Sequence, residues 1–140
     1  MHIDNDTLLS AIDAMDRLSN KLNNFDLDKK SQQFADIIYQ QEKLRREMLD
    51  DHISSEPAWT IILDLFIAKK NRRILTVSSV CIGSYVPATT ALRHIGILVN
   101  SGYIFRIRDK KDGRRVFLDL SDETSSSVTR YFNECQKRFT

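Results

Sequence analysis

Apolar residues recur every three or four positions over residues 7–22, at Leu8, Ile12, Met15, Leu18 and Leu22. That spacing predicts an amphipathic helix with a single apolar stripe. The pattern lapses through Asn23-Asn24-Phe25-Asp26-Leu27-Asp28-Lys29-Lys30, which reads as a linker. It resumes at Phe34, Ile37, Ile38, Leu44 and Met48, so a second helix is expected to about Asp51, capped by Asp28 or Ser31. Glu42, Arg45, Arg46 and Glu47 fall mostly on its outer face. Ser55-Glu56-Pro57-Ala58-Trp59 reads as a helix start, with Ser55 accepting free backbone N–H groups and Pro57 in the first turn, where a missing donor costs nothing. The run from Trp59 to Ala68 is apolar nearly all round and predicts a central core helix, closed by Lys69-Lys70-Asn71-Arg72-Arg73 at the negative end of its dipole.

Three short units follow: a β-like Ile74-Leu75-Thr76-Val77, a helix from about Ser78 to Gly83, and a helix from Pro87 to about Asn100. Gly83 is expected at the tight turn between the two helices, and Gly102 at the end of the second. Two strands, Tyr103–Arg108 and Arg114–Leu120, flank Asp109-Lys110-Lys111-Asp112-Gly113, whose Asp-Gly pair is a hairpin signal. Phe105 and Ile107 alternate with Arg106 and Arg108, and Val116, Leu118 and Leu120 with Arg115, Phe117 and Asp119. One face of the ribbon is therefore expected to be apolar and the other cationic. Ser121-Asp122-Glu123 starts a last helix whose stripe is Val128, Tyr131, Phe132 and Cys135. The expected architecture is mainly α with a small β-hairpin: a winged helix-turn-helix with N-terminal and C-terminal dimerisation helices. Its parts are a helical arm and linker over 1–30, the winged helix-turn-helix with its leading helix over 31–122, and a C-terminal helix over 123–140.

Charge alters this picture more than composition does. The net charge is only +2, but residues 1–68 hold 7 Lys/Arg against 13 Asp/Glu, and residues 69–115 hold 11 against 2. A positive field concentrated over a third of the chain attracts a polyanion. No apolar run approaches the ~18–20 residues that cross a bilayer, and the first residues lack the basic and apolar regions of a secretory signal, so a cytoplasmic, nucleoid-associated protein is expected. Cys81 and Cys135 are far apart with no CxxC spacing, and both are expected in packing roles. His2, His52 and His94 are dispersed, and no glycine-rich phosphate loop occurs. Neither an enzyme, a cofactor nor a metal site is expected.

A helix-turn-helix holds its second helix so that the N-terminal turn enters the major groove. Here that turn is Pro87-Ala88-Thr89-Thr90, with Arg93 and His94 one turn on. Thr89, Thr90 and Arg93 are the leading base-contact candidates, since hydroxyls and methyls suit base edges and an arginine suits guanine or phosphate. Ala91, Leu92, Ile95, Leu98 and Val99 are assigned to the helix interior. In the wing, Lys110 and Lys111 are expected to neutralise phosphates and Arg114 or Arg115 to reach the minor groove or backbone, with Arg108 a further DNA-binding candidate. Asp112 and Gly113 are expected to shape the loop, Asp112 by pairing with a neighbouring arginine. The alternative is a winged helix that binds another protein without reading DNA; so many cations within 69–115 argue against it.

The segment Asp112-Gly113-Arg114-Arg115-Val116-Phe117-Leu118-Asp119-Leu120-Ser121 resembles the wing signature of MarR-type regulators, Asp-x-Arg-x-x-x-Val-x-Leu-Thr. Leu118 replaces the valine and Ser121 the threonine. Glu56-Pro57-Ala58-Trp59, Leu63–Ala68 and Val86–Arg93 are similar to a MarR-like winged-helix subgroup, and the likeness spans about residues 34–122. The resemblance implies homodimers joined through terminal helices and bound to palindromic operators on duplex DNA, with Arg114 as the wing arginine and Asp112 as its anchor. Residues 1–30 match no pattern of the family, so its usual effector pocket is not assumed here, and the sequence neither supports nor excludes a small-molecule effector.

Overall fold

A computed structural model describes residues 3–140. Contacts group them into an arm ending at Gln40 and a body, Gln41–Thr140.

Helix α1 (Asn5–Met48) begins where Asp4 Oδ1 accepts the Thr7 N–H at 2.7 Å. The expected linker is not there: residues 23–30 are helical, so Asp28 and Ser31 are interior positions rather than caps. None of these residues is Gly or Pro, and Asp26 pairs with Lys30 one turn on at 3.1 Å, so the segment carries nothing that stops a helix. The lapse in the pattern marks a change of apolar face, not a break in the chain's course. Through the arm every large apolar side chain of the first stripe is exposed, from Leu8 to Phe25.

In the body, the last turns of α1 lead through α2 (Asp51–Ser54) to α3 (Ala58–Lys70). The start of α3 differs from expectation. Ser55 closes α2 in an extended conformation, with its hydroxyl turned back to the Asp51 carbonyl, and Pro57 takes the N-cap position. Glu56 supplies the acceptor instead, its Oε2 receiving the Thr60 N–H at 3.3 Å and the Thr60 hydroxyl at 2.6 Å. As the all-round apolar run predicts, α3 is the centre of the core, with Ala58, Trp59, Ile61, Ile62, Leu65 and Ala68 buried.

Around α3 stand α4 (Val77–Gly83), α5 (Ala88–Asn100), α6 (Asp122–Phe139) and a three-stranded antiparallel sheet. Its strands β1 (Leu75–Thr76), β2 (Ile104–Arg108) and β3 (Val116–Leu120) lie in the order β1-β3-β2. Val80, Ile95, Leu98, Ile104, Leu118, Leu120 and Val128 complete one cluster with α3. Helix α6 starts at Ser121, whose hydroxyl accepts the Thr124 N–H at 3.2 Å, and buries Val128, Tyr131 and Cys135 within the body. Tyr131 meets Trp59 edge-on at 5.7 Å between centroids and donates its hydroxyl to the Gln41 carbonyl at 3.0 Å. Burial, and then the neighbouring Cys135 thiol, push the Tyr131 phenol far above its ordinary range, so it stays a donor. Cys81 is half-buried against the core and both cysteines are free thiols.

A candidate nucleic-acid interface

Helix α4 opens on Thr76, whose Oγ1 accepts the Ser79 N–H at 3.1 Å. It closes in a turn held by Ser84, which donates its hydroxyl to the Cys81 carbonyl at 2.6 Å and its N–H to Val80 at 3.0 Å. Gly83 ends α4 at the expected turn, and the left-handed residue there is Tyr85, at φ 59°. Gly83 has a steric reason: a Cβ there would stand 2.7 Å from the Asp64 carboxylate on α3. Burial raises the Asp64 pKa, against a smaller lowering from Arg73. Lacking a side chain, Gly83 lets α4 approach α3 closely.

Pro87 is the N-cap of α5 and offers no side-chain acceptor to its first turn. Ala91, Ile95 and Leu98 form the buried line of α5, so Thr89, Arg93 and Gly96, spaced by four and three, face outward. Pro87 and Ala88 are exposed at the leading end, while Thr90 and His94 are half-buried on one flank. Leu92, expected inside, is 49% exposed on the other flank. Its position is one residue past the buried line, and periodicity alone did not separate the two. A Cβ at Gly96 meets nothing within 4 Å, so the outward face is flat there.

The ribbon register corrects the expected division of faces. Ile104 pairs with Leu120, Arg106 with Leu118 and Arg108 with Val116, so Arg106 and Arg108 share a face with core residues. Phe105 and Ile107 lie on the other face with Phe117 and Asp119. The ribbon is buried at its base, where Ile104 and Leu120 sit, and exposed towards the loop, where Arg108 emerges. Burial thus changes along each strand as well as across it.

From Asp109 to Arg115 the wing loop is built by carboxylates on backbone donors. Asp109 Oδ1 accepts the Lys111 N–H at 2.9 Å and Asp112 Oδ1 the Arg114 N–H at 3.1 Å. The Arg115 N–H reaches the Asp112 carbonyl, and Arg115 O receives the Asp109 N–H, each at 3.0 Å. Asp112 therefore shapes the loop through the backbone of Arg114 and not by pairing with an arginine side chain. Gly113 is not among the residues at positive φ and a Cβ there meets nothing, so neither space nor backbone conformation demands a glycine.

Arg108, Lys110, Lys111, Arg114 and Arg115 are all exposed, as are Arg93 and Arg106. Among the described residues none of these cations makes an ion pair. Arg115 instead stacks on the Phe117 ring at 5.2 Å. Arg106, Arg114 and Arg115 converge on a cleft of about 560 Å³ that Thr76, Val77, Ser78, Leu92 and Val116 complete. Arg106, Thr76 and Ser78 are additions to the expected site; the signal for Arg106 was its place two residues before Arg108 in one strand. Of the expected contacts only Arg114 and Arg115 line this cleft; Thr89, Thr90, Arg93 and His94 of α5 and Arg108, Lys110 and Lys111 of the wing do not.

No protein-family model and no curated sequence matches the chain. Solved structures do. The transcriptional regulator Tm0710 from Thermotoga maritima superposes with a TM-score of 0.59 at 14% identity, over 79% of this chain and 75% of that one. NadR in complex with 4-hydroxyphenylacetate gives 0.56 at 20% identity, over 76% and 72%. Overoxidized AbfR bound to DNA gives 0.52 at 20% identity, over 90% and 84%. These proteins are MarR-family regulators, and the chain has their winged-helix fold.

Proposed function

We propose that this protein is a sequence-specific regulator of transcription that binds duplex DNA as a homodimer in the cytoplasm. The observation that carries the reading is the set of exposed wing and α5 cations that make no ion pair among the described residues, three of them converging on a cleft lined also by Leu92 of α5, a helix whose first turn is uncapped. A phosphate backbone supplies the missing counter-charge, and the free N–H groups at the start of α5 suit one of its oxygens. In this reading Thr89 and Arg93 meet base edges in the major groove, with Pro87, Ala88, Thr90 and His94 around them. Arg106, Arg108, Lys110, Lys111, Arg114 and Arg115 hold the flanking phosphates or enter the minor groove. AbfR, of the same fold, has been crystallised on DNA, which supports the assignment.

Two such surfaces related by a two-fold axis would read a pseudo-palindrome with half-site centres one helical turn, ~34–36 Å, or a multiple of it apart. The test is affinity selection of random genomic duplexes by the wild type, Arg93→Ala and Arg114→Ala. The expected result is an enriched inverted repeat whose sequence preference weakens at one position per half-site in Arg93→Ala. No enrichment by the wild type at low salt would overturn the reading.

A further inference from the structure

The arm carries a stripe with no partner of its own. Leu8, Ala11, Met15, Leu18, Leu22 and Phe25 recur at alternating steps of three and four, the repeat of a coiled-coil seam. Met15 and Phe25 are each 69% exposed, and Leu18 and Leu22 each 60%. Beyond Phe25 the seam positions become Lys29, Gln32 and Asp36, all polar, and before Leu8 the seam position is Asp4. The next apolar residues, Leu27 and Phe34, stand roughly half a turn around the helix. The seam is therefore a bounded segment, closed by an aspartate at one end and a lysine at the other.

We propose that residues 8–25 of α1 form an antiparallel two-stranded coiled coil with the same residues of a second copy of this chain. The proposal deepens the homodimer reading and is independent of DNA binding. In the antiparallel register centred between Asp16 and Arg17, every seam layer finds a complement. Leu8 meets Phe25 of the second copy, small Ala11 meets Leu22, and Met15 meets Leu18. Ile12, beside Ala11, adds apolar width at the narrowest layer. The same register brings Asp4 opposite Lys29 at each end, closing the apolar layers with opposite charges. Lys29 makes no ion pair among the described residues, Asp26 being taken by Lys30.

Charge over the whole segment selects the same direction. Residues 4–16 hold Asp4, Asp6, Asp13 and Asp16 with no lysine or arginine, whereas residues 17–30 hold Arg17, Lys21, Lys29 and Lys30 against Asp26 and Asp28. An antiparallel pair lays the acidic half on the basic half. A parallel pair stacks Asp4 on Asp4 and Lys29 on Lys29, sets Ala11 against Ala11, and brings like halves together, which is repulsive.

The test is disulfide trapping in the full chain with sedimentation velocity alongside. Leu8→Cys/Phe25→Cys, each single variant and the wild type, which controls for Cys81 and Cys135, are oxidised under identical conditions. The expected result is a covalent dimer of the double variant, with residue 8 linked to residue 25, forming at least about tenfold faster than from either single variant, because only opposed thiols are held within bonding reach. Equal trapping of Leu8→Cys alone would mean a parallel pair and overturn the proposal. A wild-type dimer whose double variant is not trapped would overturn it while leaving the homodimer reading intact, and a wild-type monomer would sink both.

Discussion

Removing one wing cation has a calculable signature. Arg114 is exposed, forms no ion pair among the described residues, and contributes only its backbone N–H to the loop, at 3.1 Å from Asp112. Arg114→Ala keeps that N–H, so the loop and the thermal midpoint should be unchanged. In the proposed homodimer the substitution would occur twice and remove two phosphate contacts. Each neutralised phosphate contributes about 0.9 to the slope of log K against log salt, so the variant's slope should be flatter by about 1.8. Between about 50 and about 200 mM salt the wild type should then lose about tenfold more affinity than the variant does. Fluorescence anisotropy with a labelled duplex across that range measures both slopes, and a scrambled duplex should show the same difference. An unchanged slope would refute the assignment of Arg114 to phosphate. A loss confined to the selected sequence would make it a base-reading residue instead.

Three further outcomes are expected. Asp112→Ala removes the acceptor that orders the Arg114 N–H and should weaken DNA binding by about 0.5–1 kcal/mol with the salt slope intact, since no cation is lost; a flattened slope would contradict that division of roles. Gly96→Ala, in open space on the outward line of α5, should stabilise the body by about 0.5–1 kcal/mol, read as a rise in thermal midpoint; a fall would mean that a neighbour occupies that space. Hydrogen bonds from the His52 ring and backbone N–H hold the Asp50 carboxyl at about 2 in the folded protein, below its ordinary 3.8. The stability this gives is present above the ordinary value and is lost as pH falls through the folded one, so acid titrations of Asp50→Asn should show a shallower loss in that window.

How much of this was legible in the sequence depended on what kind of partner each residue has. The core helix announced itself because α3 is surrounded on all sides, and a run such as Trp59–Ala68 has no other stable use. The ends of α5, the cap at Ser121 and the hairpin were legible for another reason: each is decided by neighbours close in sequence. Errors arose where the deciding neighbour was distant. Arg106 shares its face with Ile104, but only the pairing with β3 shows that this face is covered at Leu120 and open at Arg108. The turn at Gly83 is legible, but the atom that requires a glycine there belongs to Asp64, nineteen residues earlier. Residues 23–30 follow the same rule from the other side. Two apolar stripes that point in different directions look like two helices when each is assumed to need its own element. One helix holds both stripes if they face different partners, and the end charges at Asp4 and Lys29 then have a use that a flexible linker would not give them.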